Sequence, residues 1–570
     1  MKAAKGGAQG RLAALLIAAV TTGAATAPVC GWAKTAARPE PSAMVPSASA
    51  RGPGRLRGII VTTDVAAPRS GAPGEGVNLA QAHLDRRAQA AVRGALAPLI
   101  GQPLNDKMLI EVRTEIEVAL ARSGSRFVRA VIPVQDVTDG AIRVVLLEGR
   151  LDRLTITGAK AFSAASYRDQ IRVKPGQAID AGRLDADIDW INRNPFRHAQ
   201  IVAKAGDQTG DVDLDLEATD QPPLRVFSSF DNSGTRTTDY NHWNAGVTFG
   251  DLLNQGIQAT YQHTEATDFR SFSSNSGSVT LDLPWRNLLT VSATEASLVS
   301  NLPAPLNQTG YSSQISARYQ IPISNLGPLS NQMLSLGFDY KNTNNNLLFS
   351  QTPIFGDVTE IGEWSLSYSG TEADRIGATT FGGSVFYSPG HMFARDTNSA
   401  FGGQRTGAQA RFAYVNLQVT RTTELPWKMS LVDSLVGQAS SGNLLGTEEL
   451  AMGGAGAVRG YDPDQVFADE GLISRNELRA PPMHLLTHLG SQIADQIQPF
   501  IFGDLGEGYI HSPLPGEKAQ LHLASSGVGL YYTLGRRFSL AFDYGWQLHD
   551  PGLGPRARTG RTDITAGLSW

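Results

Sequence analysis

The stretch Trp243-Asn244-Ala245-Gly246-Val247-Thr248-Phe249 places an apolar side chain at every second position, with Asn, Gly or Thr between. Successive side chains of a strand point to opposite faces, so this period makes one apolar face and one polar face. The alternation returns at Val279, Leu281 and Leu283, at Leu334, Leu336, Phe338 and Tyr340, at Trp364, Leu366 and Tyr368, and at Ile564, Ala566, Leu568 and Trp570. From Leu224 to Trp570 about 16 such segments follow one another, each of roughly 9–13 residues and bounded by Gly, Asn, Asp, Pro or Ser. A tilted strand crosses a bilayer in about 9–11 residues, whereas soluble strands have a mode near five or six. Segment length therefore favours an all-β transmembrane barrel of about 16 antiparallel strands over residues 222–570, against a soluble sandwich, propeller or solenoid. Past the N-terminus no long uncharged apolar run exists, so a membrane form must be a closed barrel, which satisfies every backbone polar group in hydrocarbon.

Upstream of Pro222-Pro223 the period changes. Gly58-Ile59-Ile60-Val61-Thr62 reads as a strand, Leu84 to Ala97 and Asp106 to Ser123 as helices, and Phe127 to Gln135 and Ala141 to Glu148 as paired strands. In the second helix Leu109, Val112, Ile116 and Leu120 share a face, and Asn105 or Asp106 can cap its start. The β-α-α-β-β order then repeats: a strand Leu151 to Ile156, helices Ala164 to Ile171 and Asp180 to Asn194, and strands Ala199 to Ala205 and Asp211 to Ala218. Leu184, Ile188 and Ile191 hold one face of the second helix, with Asp180 as cap. Two consecutive α+β units, residues 58–150 and 151–221, are the expected soluble part.

Residues 1–33 read as a secretory signal peptide: Lys2, Lys5 and Arg11 precede the apolar run Leu12 to Val20 and a small-residue stretch, with cleavage after Ala27 or Ala33. Ala27-Pro28-Val29 is a poor lipoprotein box before Cys30, the single cysteine, so no intramolecular disulfide can form. Residues 34–57, rich in Ala, Pro, Ser and Arg, form a tether and a candidate plug segment. The net charge of −4 and the 18% charged residues argue against a nucleic-acid partner.

Several stretches resemble a known family. Ile191-Asn192-Arg193-Asn194-Pro195, Asp213-Leu214-Asp215-Leu216, Pro222-Pro223-Leu224 and Asp231-Asn232-Ser233-Gly234 resemble the second POTRA domain and the start of the barrel in TpsB-type two-partner secretion transporters, the haemolysin/haemagglutinin secretion-activation family. Val458-Arg459-Gly460-Tyr461 and Phe502-Gly503-Asp504-Leu505-Gly506 resemble the paired signatures of the superfamily that includes BamA and TamA. The resemblance covers roughly residues 58–570. It implies two POTRA domains before a 16-stranded barrel in the outer membrane, and export of a secreted exoprotein of the TpsA type, a haemolysin or adhesin. A barrel-assembly factor of the BamA/TamA type is the alternative, disfavoured by only two POTRA units, and a solute porin needs no POTRA pair. Members of the family often carry a pore-plugging helix, which Pro39, Pro41, Pro46 and Pro53 disfavour here.

The family folds the loop that carries Arg459 back into the barrel lumen, and Asp504 lies on a strand whose inward face is polar. A guanidinium grips a carboxylate through two parallel charge-assisted bonds, so the expected lock joins Arg459 to Asp504, with Val458, Gly460, Tyr461, Phe502 and Gly506 as motif residues around it. Trp570, aromatic and C-terminal on an outward face, resembles the signal read by the barrel-assembly machinery, and is also a girdle residue facing outer-membrane lipid. No cofactor, metal or catalytic site is expected. Gly453, Gly454 and Gly456 precede strand-like sequence rather than a helix, His484 and His488 lack further ligands, and no nucleophile motif or acid pair occurs.

Overall fold

The computed structural model describes residues 54–64, 75–208, 210–235, 238–253, 255–300, 306–323, 329–349, 352–355, 358–463, 465–488, 494–552 and 559–570. The expected signal peptide and the expected tether up to residue 53 lie outside the described residues. The described residues form two compact units, divided between Pro222 and Pro223.

The soluble unit holds two sheets with separate cores. The first comprises β1 (Gly58–Thr62), β2 (Gly76–Gln81), α1 (Arg86–Leu96), α2 (Asp106–Arg122), β3 (Val128–Val131) and β4 (Ala141–Glu148), in sheet order β2-β1-β4-β3. β1 runs parallel to both neighbours, and β3 is antiparallel to β4. β2 is an element the sequence reading missed; its edge position, with one buried residue, leaves no alternation to read. Asp85 and Asn105 cap the two helices by accepting from the Ala88 and Met108 amides. Val112, Ile116 and Leu120 of α2 are fully buried against Ile59, Val61 and Val144, with Leu109 half-buried at the margin. Each such aliphatic side chain contributes about 1.5–3 kcal/mol on leaving water. Leu56 is fully buried in the same core, so this end of the expected tether packs with the domain.

The second sheet has β5 (Arg150–Thr157), α3 (Ala164–Arg168), α4 (Ala181–Asn192), β6 (Arg197–Ala205) and β7 (Asp211–Asp220), in order β5-β7-β6. Asp180 caps α4 through the Arg183 amide. The helix stops at Asn192, short of the expected Asn194, because the Asn192 amide turns to exchange two bonds with the Ala199 backbone, 2.9 and 2.6 Å. Asp220 closes the unit by accepting from the Lys160, Ala161 and Phe162 amides and the Tyr167 hydroxyl. Burial raises its carboxyl, but those donors outweigh burial and hold it below the ordinary carboxylate range.

The remaining strands are β8 (Leu224–Asp231), β9 (His242–Leu252), β10 (Ile257–Ala266), β11 (Phe272–Asp282), β12 (Leu288–Ser300), β13 (Leu306–Ile323), β14 (Leu329–Phe349), β15 (Thr352–Phe355), β16 (Val358–Ala373), β17 (Gly377–Ser388), β18 (Phe412–Glu424), β19 (Ser430–Ser440), β20 (Leu450–Ala451), β21 (Phe467–Ala468), β22 (Glu470–Arg479), β23 (Asp495–Tyr509), β24 (Gln520–Leu534), β25 (Phe538–Gln547) and β26 (Gly560–Ser569). β15 extends the hairpin of β14 and β16, and β20 and β21 form a small ribbon in the loop between β19 and β22. The others close into a 16-stranded antiparallel barrel, with β26 paired to β8 through Phe227–Asp231 and Thr565–Ser569. Leu283 falls in the turn after β11 rather than on it.

Burial is inverted relative to a soluble protein. Trp243, Val279, Leu336, Trp364, Leu366 and Leu568 are exposed on the outer face, whereas Asp339, Lys341, Glu363, Glu477, Asp504 and Asp563 are buried on the inner one. That is the arrangement a strand takes when lipid is on one side and a polar lumen on the other. Among the described residues no helix is long and apolar enough to cross a membrane, and the crossing is made by strands.

Candidate functional site

Residues 441–469, between β19 and β22, pack inside the barrel and bury Met452, Val458, Tyr461 and Val466 against Ile473, Leu521 and Leu523 of the wall. Arg459 is the largest fully buried side chain among the described residues, with 1% of its surface exposed. Its Nε donates to Asp504 Oδ2 at 2.7 Å and its Nη2 to Asp504 Oδ1 at 2.8 Å, while Nη1 donates to Glu477 Oε1 at 2.6 Å. The Arg459 backbone amide also reaches Asp504 Oδ2, 3.2 Å. The guanidinium lies 3.6 Å from the ring centroid of Phe502, two residues before Asp504 on the same inner face of β23, so the ring supplies a cation–π floor.

The other motif positions are explained by space. A Cβ at Gly506 would meet the Val458 methyl at 2.9 Å. Gly460 has φ +87°, and a Cβ there would stand 2.9 Å from the Gly545 carbonyl oxygen of β25, so only glycine allows this approach of loop to wall. The Tyr461 hydroxyl lies 2.8 and 2.6 Å from the carbonyl oxygens of Ala524 and His549, which share its one proton, and accepts from the Ala524 amide. Gly503, the other glycine of the second motif, is a spacer: a Cβ added there would meet nothing within 4 Å. Trp570 stands apart from this cluster, 59% exposed, paired through its backbone to Val226 of β8.

Sequence reasoning missed the rest of the anchorage. Glu477 of β22 takes the third edge of the Arg459 guanidinium and is itself held by Arg479 at 2.7 Å. On the flank of the loop, Glu448 accepts two bonds from Lys341 of β14, 2.7 and 2.8 Å, and one from the Tyr414 hydroxyl of β18, 2.7 Å. At its root, Arg405 grips Asp469 through two bonds of 2.6 and 2.9 Å. The available signal was a charged residue at an inward position of an alternating strand, as at Lys341 and Glu477, but alternation does not name the partner. Ion pairs, glycines and apolar side chains thus hold this loop against the inner wall of the barrel.

A closed 16-stranded barrel with a motif-bearing loop in its lumen, following POTRA-type α+β architecture, defines an outer-membrane transporter. The profile described as haemolysin secretion/activation protein ShlB/FhaC/HecB matches residues 210–532, and that of the ShlB-type POTRA domain matches residues 75–149. The chain belongs to the haemolysin secretion/activation family. Similar proteins include the outer membrane transporter CdiB-2 of Burkholderia pseudomallei, 24% identical over 490 residues that cover 82% of this chain and 77% of that one. The heme/hemopexin transporter protein HuxB of Haemophilus influenzae is 21% identical, covering 78% of this chain and 79% of that one. The solved structure of CdiB from Escherichia coli superposes with a TM-score of 0.73 at 19% identity, covering 94% of this chain and 93% of that one, which establishes the shared fold.

Proposed function

We propose that this transporter exports a large secreted protein, which its two soluble domains, residues 58–150 and 151–221, capture in the periplasm and its barrel conducts to the cell surface. The observation that supports the reading is the loop between β19 and β22, packed against the inner wall and held there by ion pairs; on this reading it closes the path at rest and is displaced for transport. Arg459 and Asp504 act as the lock of that loop. The outer edge of the β5-β7-β6 sheet at β6, past Ala199, whose backbone groups Asn192 takes, is where an extended chain would pair by strand addition. The periplasm holds no ATP, so folding of the partner outside gives the process its direction. Outer-membrane lipid faces the exposed apolar belt, and Trp570 presents the signal by which the barrel-assembly machinery inserts the chain. Names of similar proteins support the export reading: one is an outer membrane transporter and another a heme/hemopexin transporter protein.

The test removes residues 150–221 from the full chain. Export of the cognate partner should cease while the barrel remains in the membrane as a heat-modifiable band, and the separate soluble unit should retain an unfolded N-terminal fragment of the partner. Continued export after the deletion refutes capture by these domains.

A further inference from the structure

Arg561, on the inner face of the last strand, is 4% exposed and holds three separate stretches of chain. One edge of its guanidinium pairs with Asp462, the residue after Tyr461 in the lumenal loop. Its Nε donates to Asp563 Oδ1 of its own strand at 2.8 Å, and Nη2 donates to the backbone carbonyl of Asn232, which follows the first strand across the closing seam. The regular ladder of that seam ends at Asp231 and Thr565. Beyond it the Asn232 side chain takes over, donating to the Thr562 carbonyl at 2.7 Å and accepting from the Ile564 amide at 2.8 Å.

We infer that Arg561 couples the lumenal loop to the seam that closes the barrel, so that the loop's departure loosens the upper end of the β8–β26 pairing. The physical reason is the planar, fixed fork of the guanidinium. Three acceptors on three sides, Asp462, Asp563 and the Asn232 carbonyl, define its plane, and both charged partners are needed to hold it there. When the loop leaves, Asp462 leaves with it. The cation then reorients toward Asp563, its remaining carboxylate, because a charge-assisted bond outweighs one to a neutral carbonyl. The Asn232 carbonyl loses its donor, and the top of the seam is held by the Asn232 side chain and by its backbone N–H, which donates to the Ile564 carbonyl at 3.3 Å. The β11–β12 pair is unaffected, since its register partners, Phe272–Asp282 with Leu288–Leu298, include neither loop residues nor Arg561. The coupling is a property of the barrel without cargo and does not rest on what is exported.

Hydrogen exchange of the full-length protein in lipid nanodiscs, followed by mass spectrometry, tests it, because exchange in a locally opening segment follows the population of the open form. Asp462→Asn keeps the shape and removes the charge. It should speed exchange in peptides covering residues 226–232 and 561–569 by about tenfold, the scale of one charge-assisted hydrogen bond, and leave the β11–β12 hairpin unchanged. Arg561→Gln should do the same, and Arg561→Lys should fall between. A seam disulfide from Ser229→Cys with Gly567→Cys, in a Cys30→Ser background, should return exchange in Asp462→Asn to the parent rate. A Cβ built at Gly567 lies 3.9 Å from that of Ser229, within bonding range. Parent-like exchange in Asp462→Asn overturns the coupling, even if Arg561→Gln exchanges fast, since Arg561 would then be only a static part of its strand. Fast exchange that survives the seam disulfide overturns it as well.

Discussion

Replacing Arg459 by alanine should release the loop while leaving the barrel folded. The substitution removes three charge-assisted bonds of 2.6 to 2.8 Å and the cation over Phe502, and strands two carboxylates, Asp504 fully buried and Glu477 nearly so. Breaking one side of a buried pair costs roughly 3–5 kcal/mol. Glu477 keeps Arg479 at 2.7 Å, and the loop keeps Glu448 and Asp469 on their own partners, which places the loss at the lower end. About 3 kcal/mol corresponds to a shift of about 100-fold in the ratio of docked to undocked loop. Ala457, two residues away and 6% exposed, is the reporter: in a Cys30→Ser background, the thiol introduced by Ala457→Cys should react about 100-fold faster with an external thiol reagent once Arg459 is gone. Secretion should fall strongly, with a much smaller loss of heat-resistant barrel, because the strands are held by closed backbone pairing. Arg459→Lys should recover only part, since an ammonium lacks the fork. Adding Asp504→Asn to Arg459→Ala should restore some docking by removing a stranded charge. Unchanged protection of the introduced thiol in Arg459→Ala would refute the lock, and so would near-normal secretion.

Two further outcomes follow from particular contacts. Gly460→Ala should displace the loop tip and reduce secretion, since its Cβ meets backbone of Gly545 and φ is +87°, while Gly503→Ala, with open space around it, should secrete as the parent does; equal behaviour of the two would discard the close-approach argument. For the soluble unit, the donors on Asp220 hold its carboxyl below the ordinary value, so its contribution is complete above the unfolded pKa of about 3.9 and is lost as pH falls through the lower folded value. Asp220→Asn should cost about 1 kcal/mol in urea unfolding at neutral pH, as for loss of a helix cap, and should narrow its deficit in acid; a deficit independent of pH would assign the loss to packing.

Much of this architecture is local and therefore legible in sequence. A strand with lipid on one face and a lumen on the other must alternate, so Trp243 to Phe249 and Ile564 to Trp570 announce both their conformation and their outward side. Asn105 and Asp180 likewise mark helix starts because a cap acts over three residues. The edge strand Gly76–Gln81 escaped, since its conformation comes from pairing with β1 rather than from its own pattern. The resemblance of two short motifs singled out Arg459 and Asp504, 45 residues apart, but nothing in those motifs names Glu477, Lys341 or Arg561. Lys341 meets Glu448 across 107 residues, and Arg561 meets Asp462 across 99 and Asn232 across 329. Sequence alone thus determined the strand period, the face toward lipid and the repeated soluble unit, because each is set by neighbours along the chain. Only barrel closure, which brings the last strand beside the first and encloses a lumen in which a loop must find counter-charges, decided which buried charges pair and which single side chain ties loop, last strand and first strand together.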